Sequence, residues 1–260
     1  MLRFNNPKMK MASLEFPEAI FIDMDNTIYE YSPCHNKAVK VLESYLKNKI
    51  NMRAGIFRKG YEKARQQIHS RLGNTASSHN RLLYFQYLLE QSGCNSMVSL
   101  ALKMNDIYWK TFISNIRLFS GVLEFLECTK KLKLPVAFIT DLLADIQFRK
   151  IKHLRLENKF NILVTSEEAG KDKPAAAIFK LALKKLGRVP RTLWMIGDGY
   201  RQDIVGGRAI GAITFQKSDN ADIVSHSKNC IADIVFDSFY ALIDLLSMIE
   251  KNERKQGKNN

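Results

Sequence analysis

Two aspartates one residue apart, Asp23 and Asp25, are the first side chains whose types and spacing suggest chemistry. They follow the apolar run Ala19–Ile22, which is too short for a stable helix and does not alternate, and this predicts a strand buried on both faces. Carboxylates at the carboxyl end of such a strand lie where open α/β sheets bind their ligands. The alternative is a turn in which Asp and Asn bond their own backbone and Thr27 caps a helix.

Polar side chains follow other predicted strands as well. Thr140 comes after the apolar run 136–139, Asp198 after the run 193–196, and Lys173 and Asp203 lie in following loops. Each has an ordinary explanation alone, as a helix cap, a surface lysine or an acid that favours a helix dipole. Because the carboxyl ends of parallel strands share one edge of a sheet, we expect these side chains to converge there.

Hydrolysis of a phosphate ester needs this set of residue types, since an anionic substrate repels a nucleophile until its charge is neutralised. Magnesium is held by one or two carboxylates together with the substrate phosphate, and Asp23 and Asp198 are candidates to hold it. Lys173 can balance the remaining charge. One carboxylate can then act as a nucleophile, while a second protonates the leaving oxygen and later activates water.

From Gly121 onward, helices alternate with short apolar strands, which predicts a parallel sheet built from βαβ units. The predicted strands are 136–139, 162–165, 193–196, 212–215 and 234–236, with helices at about 144–155, from Pro174 to Leu186 and at 239–249. Residues 166–172 are predicted to be a loop that presents Lys173, and residues 251–260 a frayed polar tail.

Between residues 35 and 115 the apolar residues recur at helical spacing and no strand is indicated. The predicted fold is therefore an α/β, Rossmann-like doubly wound parallel sheet with an inserted all-helical cap domain. The core is assigned to residues 1–34 and 118–250, and the cap to residues 35–117. Aromatic residues that recur at helical spacing in this segment are interpreted as the hydrophobic core of the cap.

The formal charge of +14 favours anionic partners, and the basic excess falls mainly in the cap. A solvated helical face is the other interpretation of that excess. The cysteines Cys34, Cys94, Cys128 and Cys230 show neither zinc-site nor disulfide spacing, so free thiols and a cytoplasmic location are predicted. No signal sequence or membrane span is indicated, and the oligomeric state is left open.

Four motifs in order make the chain resemble the haloacid dehalogenase superfamily from about Ala19 to Phe215. They are Asp23 to Thr27, Thr140 after an apolar strand, Lys173 with Pro174, and Gly197-Asp198 with Asp203. The stretch 164–174 also resembles the subfamily in which a helical cap follows the first motif. The resemblance implies a magnesium-dependent phosphatase that forms an aspartyl-phosphate intermediate.

Carried over residue by residue, the resemblance assigns roles to particular side chains. Asp23 is implied to be the nucleophile and Asp25 the acid/base, with Thr140 and Lys173 binding the phosphoryl group. The implied magnesium ligands are Asp23, the backbone carbonyl of Asp25 and Asp198, and Asp203 would orient Lys173 or a metal-bound water. The predicted substrate contacts are Asn26, Thr140, Asp141 and Lys173.

Two positions bear on the reaction and its substrate. The dehalogenases that name the superfamily lack an acid at position 25, and an acid there suits an alkoxide leaving group. Many relatives have Asn where this chain has Asp141, so either only its backbone N–H contacts the phosphoryl group or the substrate is unusual.

The favoured substrate is a small phosphorylated metabolite, first a nucleoside 5′-monophosphate, with sugar phosphates or phosphoglycolate as alternatives. A non-enzymatic protein that binds nucleic acid through the basic cap is the alternative from another class.

Overall fold

A seven-stranded sheet forms the centre of the molecule within the part of the chain that the computed structural model describes, residues 1–5, 14–218 and 232–256. The strands are β1 Leu2–Phe4, β2 Ala19–Ile22, β3 Val136–Thr140, β4 Ile162–Thr165, β5 Leu193–Gly197, β6 Ile213–Lys217 and β7 Ile234–Phe236. Their order is β1-β7-β6-β5-β2-β3-β4. Strand β1 is antiparallel to β7, and all the other pairings are parallel.

The helices fall into two groups along the chain. Between β2 and β3 lie α1 Tyr31–Ile50, α2 Ala54–Leu72, the 3-10 turn Ala76–His79, α3 Arg81–Gln91 and α4 Val98–Ser114. The later helices are α5 Val122–Lys131, α6 Ala144–His153, α7 Ser166–Ala169, α8 Ala176–Leu186, the π-helical turn Tyr200–Val205, α9 Gly206–Ala209 and α10 Phe239–Gln256. Parallel strands joined by helices produce the doubly wound core that the alternating sequence pattern predicts.

Strand β2 lies inside the sheet between β5 and β3, and all four of its side chains are apolar and fully buried. Successive side chains of a strand point to opposite faces of the sheet. Ile20 and Ile22 accordingly pack in the larger apolar cluster with α5 and α10, whereas Ala19 and Phe21 pack with α8 on the other face. Helices therefore cover both faces, and the predicted fold class is confirmed.

The register of the central strands aligns their carboxyl ends. Ile22 at the end of β2 pairs with Phe138 of β3 and with Ile196 of β5. The backbone N–H of Asp23 still donates to the carbonyl of Ile196, at 2.9 Å. Asp23 and Asp198 consequently leave neighbouring strands at the same edge of the sheet.

Helices α1–α4 and the 3-10 turn between α2 and α3, called the cap below, pack against one another, with a cavity between them and the carboxyl ends of the strands. Helix α1 packs on α4, α2 packs on α3, and α4 also contacts α6 of the core. The chain enters and leaves the cap through neighbouring segments, since Tyr29 pairs with Leu118 and the N–H of Phe119 donates to the carbonyl of Ile28. The first turn of α1 begins at Tyr31, ahead of the predicted start of the cap at residue 35.

The structure differs from the sequence prediction in several elements. Strand β1 was not predicted, because three residues are too few to show a strand period. The predicted loop 166–172 begins with the helix α7, whose first turn is capped by the Thr165 side chain accepting from the N–H of Glu168. Helix α8 starts at Ala176, two residues after the predicted start at Pro174.

The predicted frayed tail is wrong for residues 251–256, because α10 continues to Gln256. The N–H of Phe16 donates to Glu253, and Glu250 pairs with Arg254 one turn later, so this end of the helix has partners. Residues 257–260 of that predicted tail lie outside the described residues.

Two further findings concern predictions from composition. Cys34, Cys94 and Cys128 are free thiols, and Cys230 lies outside the described residues. None of the helices in the described part of the chain combines the length and apolar character needed to cross a membrane.

Candidate active site

Asp23 lies at the centre of a group of polar side chains beyond the sheet edge. Its Oδ2 accepts a hydrogen bond from the hydroxyl of Thr27, at 2.8 Å. The same hydroxyl oxygen accepts the backbone N–H of Asp198, at 3.0 Å. Thr27 therefore ties the end of β2 to the end of β5 and fixes the separation of the two carboxylates.

Lys173 joins this group from the loop after β4. Its Nζ lies 2.5 Å from Oδ1 of Asp23 and 2.7 Å from Oδ1 of Asp203. Burial lowers the pKa of Lys173, but the carboxylates of Asp203 and Asp23 outweigh burial and hold that pKa well above its ordinary value. Lys173 is therefore a fixed cation, and its side chain is almost fully buried.

Three carboxylates lie in this buried region against the one ammonium group. Burial raises the pKa of Asp23 to about 7, against the opposing effect of Lys173. Burial and the neighbouring charge of Asp23 raise the pKa of Asp198 to about 7, and burial raises that of Asp203 to about 6. These raised pKa values mean that the charged carboxylates are disfavoured here, and an additional cation beside them would favour their charged forms.

The same three side chains could hold that cation. One carboxylate oxygen each from Asp23, Asp198 and Asp203 lies within 4.8 Å of the others. Carboxylate oxygens are the donors that a hard divalent cation such as magnesium takes. The residues present thus fit the predicted metal, with the Asp203 side chain in the cluster and the Asp25 side chain outside it.

Asp25 instead has partners of its own. Its Oδ1 accepts from the hydroxyl of Tyr29 at 2.5 Å, and Nζ of Lys150 lies 2.8 and 2.9 Å from its two oxygens. Lys150 is fully buried, with its Nζ 5.4–5.9 Å from the ring centres of Tyr29, Trp109 and Phe112. Two of those rings belong to α4 of the cap, so the carboxylate of Asp25 is held where cap and core meet.

Thr140 lies at the end of β3, and its hydroxyl accepts from Nε2 of Gln147 at 2.6 Å. Gln147 is fully buried on α6 and also donates to the backbone carbonyl of Asp141. The same hydroxyl donates to the backbone carbonyl of Asp141 over a long distance of 3.4 Å. Because hydrogen bonds weaken with distance, a closer anionic acceptor in the cavity would compete for this proton.

Asp141 and Asn26 line the cavity but have structural partners. Oδ1 of Asp141 accepts the backbone N–H of Lys173 at 2.9 Å, and burial raises the pKa of Asp141 to about 6. The carboxylate thus orients the loop that presents Lys173. Oδ1 of Asn26 accepts the N–H of Tyr31 at 2.9 Å, at the start of α1.

A cavity of about 750 Å³ lies between the sheet edge and the cap. The core contributes the acids described above together with Thr140 and Lys173, and the cap contributes Tyr31, His35, Arg58, Arg65 and Arg81 among others. This volume suits a small ligand. All the site residues predicted from sequence line this cavity: Asp23, Asp25, Asn26, Thr140, Asp141, Lys173, Asp198 and Asp203.

Several residues of the site were not found by reasoning from sequence. Tyr29, Gln147 and Lys150 contact predicted site residues directly. Tyr29 lies four residues after Asp25, which is a spacing that could have drawn attention to it. Gln147 and Lys150 lie on α6, and no sequence pattern indicates that the fold places them beside Thr140 and Asp25.

A doubly wound sheet with an aspartate pair after its first parallel strand, a buried lysine and a helical cap defines a class of α/β hydrolases. Residues 17–211 match the model of the haloacid dehalogenase-like hydrolases, and the chain belongs to that family. The superfamily predicted from sequence is thereby confirmed, and the non-enzymatic alternative is not supported.

Two curated relatives and a solved structure illustrate the match. The chain is 32% identical to a ribulose-1,5-bisphosphate 5-phosphatase from Halopiger xanaduensis over 88% of this chain and 99% of that protein. It is 24% identical to a glyceraldehyde 3-phosphate phosphatase from Methanopyrus kandleri, over 90% and 99% of the two chains. A 2-haloacid dehalogenase from Pseudomonas syringae pv. Tomato aligns with a TM-score of 0.70 at 18% identity, covering 88% and 98%. The relatives' names and the family match confirm the prediction of a phosphatase.

Proposed function

We propose that the protein is a magnesium-dependent phosphatase that hydrolyses a small phosphorylated sugar through an aspartyl-phosphate intermediate on Asp23. The observation that carries this proposal is the group formed by the buried Asp23, Asp203 and Lys173 with the half-buried Asp198, at the edge of the sheet. Phosphoryl transfer is catalysed mainly by positioning and charge neutralisation, and this group supplies both.

Asp23 is the proposed nucleophile because its carboxylate is rigidly placed at the cavity. Thr27 fixes one of its oxygens and Lys173 contacts the other. Lys173 and the hydroxyl of Thr140 would bind the transferred phosphoryl oxygens. Magnesium would neutralise charge on the phosphoryl group when bound. Asp23, Asp198 and the backbone carbonyl of Asp25 would hold it, while Asp203, the third acid of the cluster, keeps its contact with Lys173.

Asp25 is the proposed acid/base. It would give a proton to the leaving oxygen and later take one from the water that attacks the phosphorylated Asp23. About a quarter of its side chain is exposed, although its carboxylate also forms an ion pair with Lys150 and accepts a hydrogen bond from Tyr29. Those two partners fix the carboxylate near the cavity and make its position depend on the contact between α4 and α6.

Sugar phosphates are the proposed substrates, in place of the nucleoside 5′-monophosphate favoured from sequence. Both curated relatives described above carry names of phosphatases that act on phosphorylated sugars. The cavity of about 750 Å³ offers arginines, histidines and tyrosines from the cap, which suit a hydroxylated anion. A small phosphorylated metabolite remains the substrate class under both interpretations.

The first prediction is magnesium-dependent hydrolysis of p-nitrophenyl phosphate and of sugar phosphates by the purified protein. We expect chelator to remove the activity and Asp23→Asn to lower kcat by about a thousandfold or more, since the nucleophile is lost. Phosphate release is measured across a panel of sugar phosphates and nucleoside monophosphates. Asp244→Asn, at an exposed acid on α10, is the matched control.

Activity that survives chelation, or an Asp23→Asn variant with most of its kcat, would contradict the mechanism. A panel in which nucleoside monophosphates have the highest kcat/KM would contradict the substrate class alone. Mass measurement of the protein quenched during turnover would show one added phosphoryl group in the wild type and none in Asp23→Asn.

A further inference from the structure

We propose that the cap wall of the cavity binds a second phosphoryl group of the substrate, with Arg81 as its anchor, so that the preferred substrate is a sugar bisphosphate. This inference rests on the proposed function, and it assigns a separate anion subsite within the same cavity. The reacting phosphoryl group would lie on the core side and the second one on the cap side.

Arg81 is a buried cation that lines the cavity. The residue is 7% exposed and lies at the start of α3. Its guanidinium donates to the carbonyl of His79 at 2.6 Å and to the hydroxyl of Tyr31, while Nε has no hydrogen-bond partner. A guanidinium has five N–H donors, so two hydrogen bonds leave most of its capacity unused.

No carboxylate within the described part of the chain forms an ion pair with Arg81. Its other neighbours are aromatic rings, with the guanidinium carbon 5.2–5.5 Å from the ring centres of Tyr84, Tyr108 and Trp109. Cation–π contacts offset part of the cost of burying a charge but provide no counter-ion. A buried arginine that faces a cavity without a counter-ion is a fitting partner for an anionic ligand, which it can bind through two parallel N–H donors.

The two walls of the cavity carry different charged groups, and each wall could bind one phosphoryl group. The core wall contains the acids that hold the proposed cation, together with Lys173. The cap wall contains Arg58, Arg65 and Arg81, with Glu62 as its acid. Arg58 and Arg65 are paired with Glu43 and Glu62 and are half or more exposed, so Arg81 is the cation whose burial most needs an anion.

A purely structural role for Arg81 makes a different prediction. In that case the guanidinium would only join α3 to α1 through Tyr31 and the aromatic rings. Replacing it would then disturb every substrate by the same factor. A subsite for a second phosphoryl group instead predicts a selective loss for substrates that carry two phosphoryl groups.

The experiment compares ribulose 1,5-bisphosphate with ribulose 5-phosphate, which differ by one phosphoryl group, and uses p-nitrophenyl phosphate as a reference. We expect kcat/KM of the wild type to be roughly tenfold or more higher for the bisphosphate, because a charge-assisted contact is made with only that substrate. In Arg81→Lys the charge stays but the fork of donors is lost, and we expect the ratio of bisphosphate to monophosphate to fall to near one.

Further variants keep the result interpretable if Arg81→Lys does not fold. Arg65→Gln changes a half-exposed arginine of the same wall, and we expect it to lower the ratio by about threefold. Arg254→Gln changes an exposed arginine on α10, outside the cavity, and should keep the wild-type ratio. Calorimetric binding of both sugar phosphates to Asp23→Asn measures the subsite without turnover.

The outcomes separate the two proposals. Loss of all phosphatase activity with a retained binding preference for the bisphosphate would overturn the proposed function and support the subsite. Active enzyme with equal kcat/KM for the two sugar phosphates, or equal losses for both in Arg81→Lys, would overturn the subsite. A preference for 6-phosphogluconate over the bisphosphate would overturn a second phosphoryl group in favour of a carboxylate.

Discussion

Asp203 owes its position to the glycine at residue 197. A Cβ at that position would lie 2.3 Å from the carboxyl carbon and Oδ2 of Asp203, which no side chain can tolerate. Asp203 in turn accepts from Nζ of Lys173 and from the N–H of Gly199. The close approach of β5 to the π-helical turn therefore sets where the lysine of the site lies.

Gly197→Ala is predicted to lower kcat on p-nitrophenyl phosphate by about 10–100-fold, because Asp203 must move and Lys173 moves with it. Steady-state kinetics and urea unfolding of the same sample provide the measurement. Gly55→Ala is the control, since a Cβ there meets nothing within 4 Å, and it should keep its activity and lose no stability. Unchanged kcat in Gly197→Ala would mean that the position of Asp203 does not matter.

Among the side chains of the candidate site, those that follow strands can be predicted from the sequence and those that come from helices cannot. Asp23, Thr140 and Asp198 are foreseeable because strand ends of a parallel sheet share an edge. Lys150 looks like an ordinary helical lysine in sequence, and only the packing of α6 against α4 buries it beside Asp25. Arg81 is inconspicuous for the same reason, because its partners include rings of α4 and the hydroxyl of Tyr31 on α1.

At the scale of elements, the cap contacts the loop that presents Lys173. Nε2 of His79, in the 3-10 turn, lies 3.0 Å from Oδ2 of Asp172, and the N–H of Asp172 donates to the carbonyl of Asn74. These contacts are separate from the two segments that connect the cap to the core, which meet at Tyr29 and Leu118. They join the cap to the core beside Lys173, the proposed phosphoryl-binding residue.

His79→Ala is predicted to raise KM for the preferred sugar phosphate by about three- to tenfold, because a cap that opens more readily holds the substrate less well. The effect on p-nitrophenyl phosphate should be smaller, since that compound makes fewer cap contacts. Ser77→Ala, an exposed position in the same turn, provides the control. Equal KM changes in the two variants would show that the contact with Asp172 has no part in closure.

Element prediction from sequence succeeds where the period of apolar residues is clear and fails for short pieces. Strands β4 and β7 have the predicted bounds, since each is an apolar run between polar residues. Helix α7 has four residues, which are too few to show a helical period. The polar residues from Thr165 onward, which include its N-terminal capping residue, are equally typical of a loop. The contact of the 3-10 turn with Asp172 joins positions 93 residues apart, and no local pattern predicts it.

The proposed magnesium site at the sheet edge links a bound cation to the stability of the folded molecule. A ligand that binds only the folded state at about a hundred times its Kd adds about 2.7 kcal/mol to the free energy of unfolding. Magnesium is therefore predicted to raise the Tm by roughly 5–10 °C for a chain of this size, and chelator to reverse the change. Differential scanning fluorimetry measures the shift.

Asp198→Asn should abolish most of that shift, since it removes a carboxylate of the cluster, while Asp244→Asn should keep it. The same shift in wild type and Asp198→Asn would place the stabilising magnesium elsewhere. Calcium at equal concentration tests whether stabilisation and catalysis separate, because calcium also takes oxygen ligands but prefers a larger and less regular shell.

The two segments that connect the cap to the core lie side by side, with Tyr29 paired to Leu118. The entropic cost of closing the chain around an insertion grows only slowly with the length of that insertion. Selection can therefore lengthen, shorten or replace the cap without rebuilding the sheet, while Asp23 stays on its own strand. The arrangement separates the part of the chain that can change its specificity from the part that must conserve its chemistry.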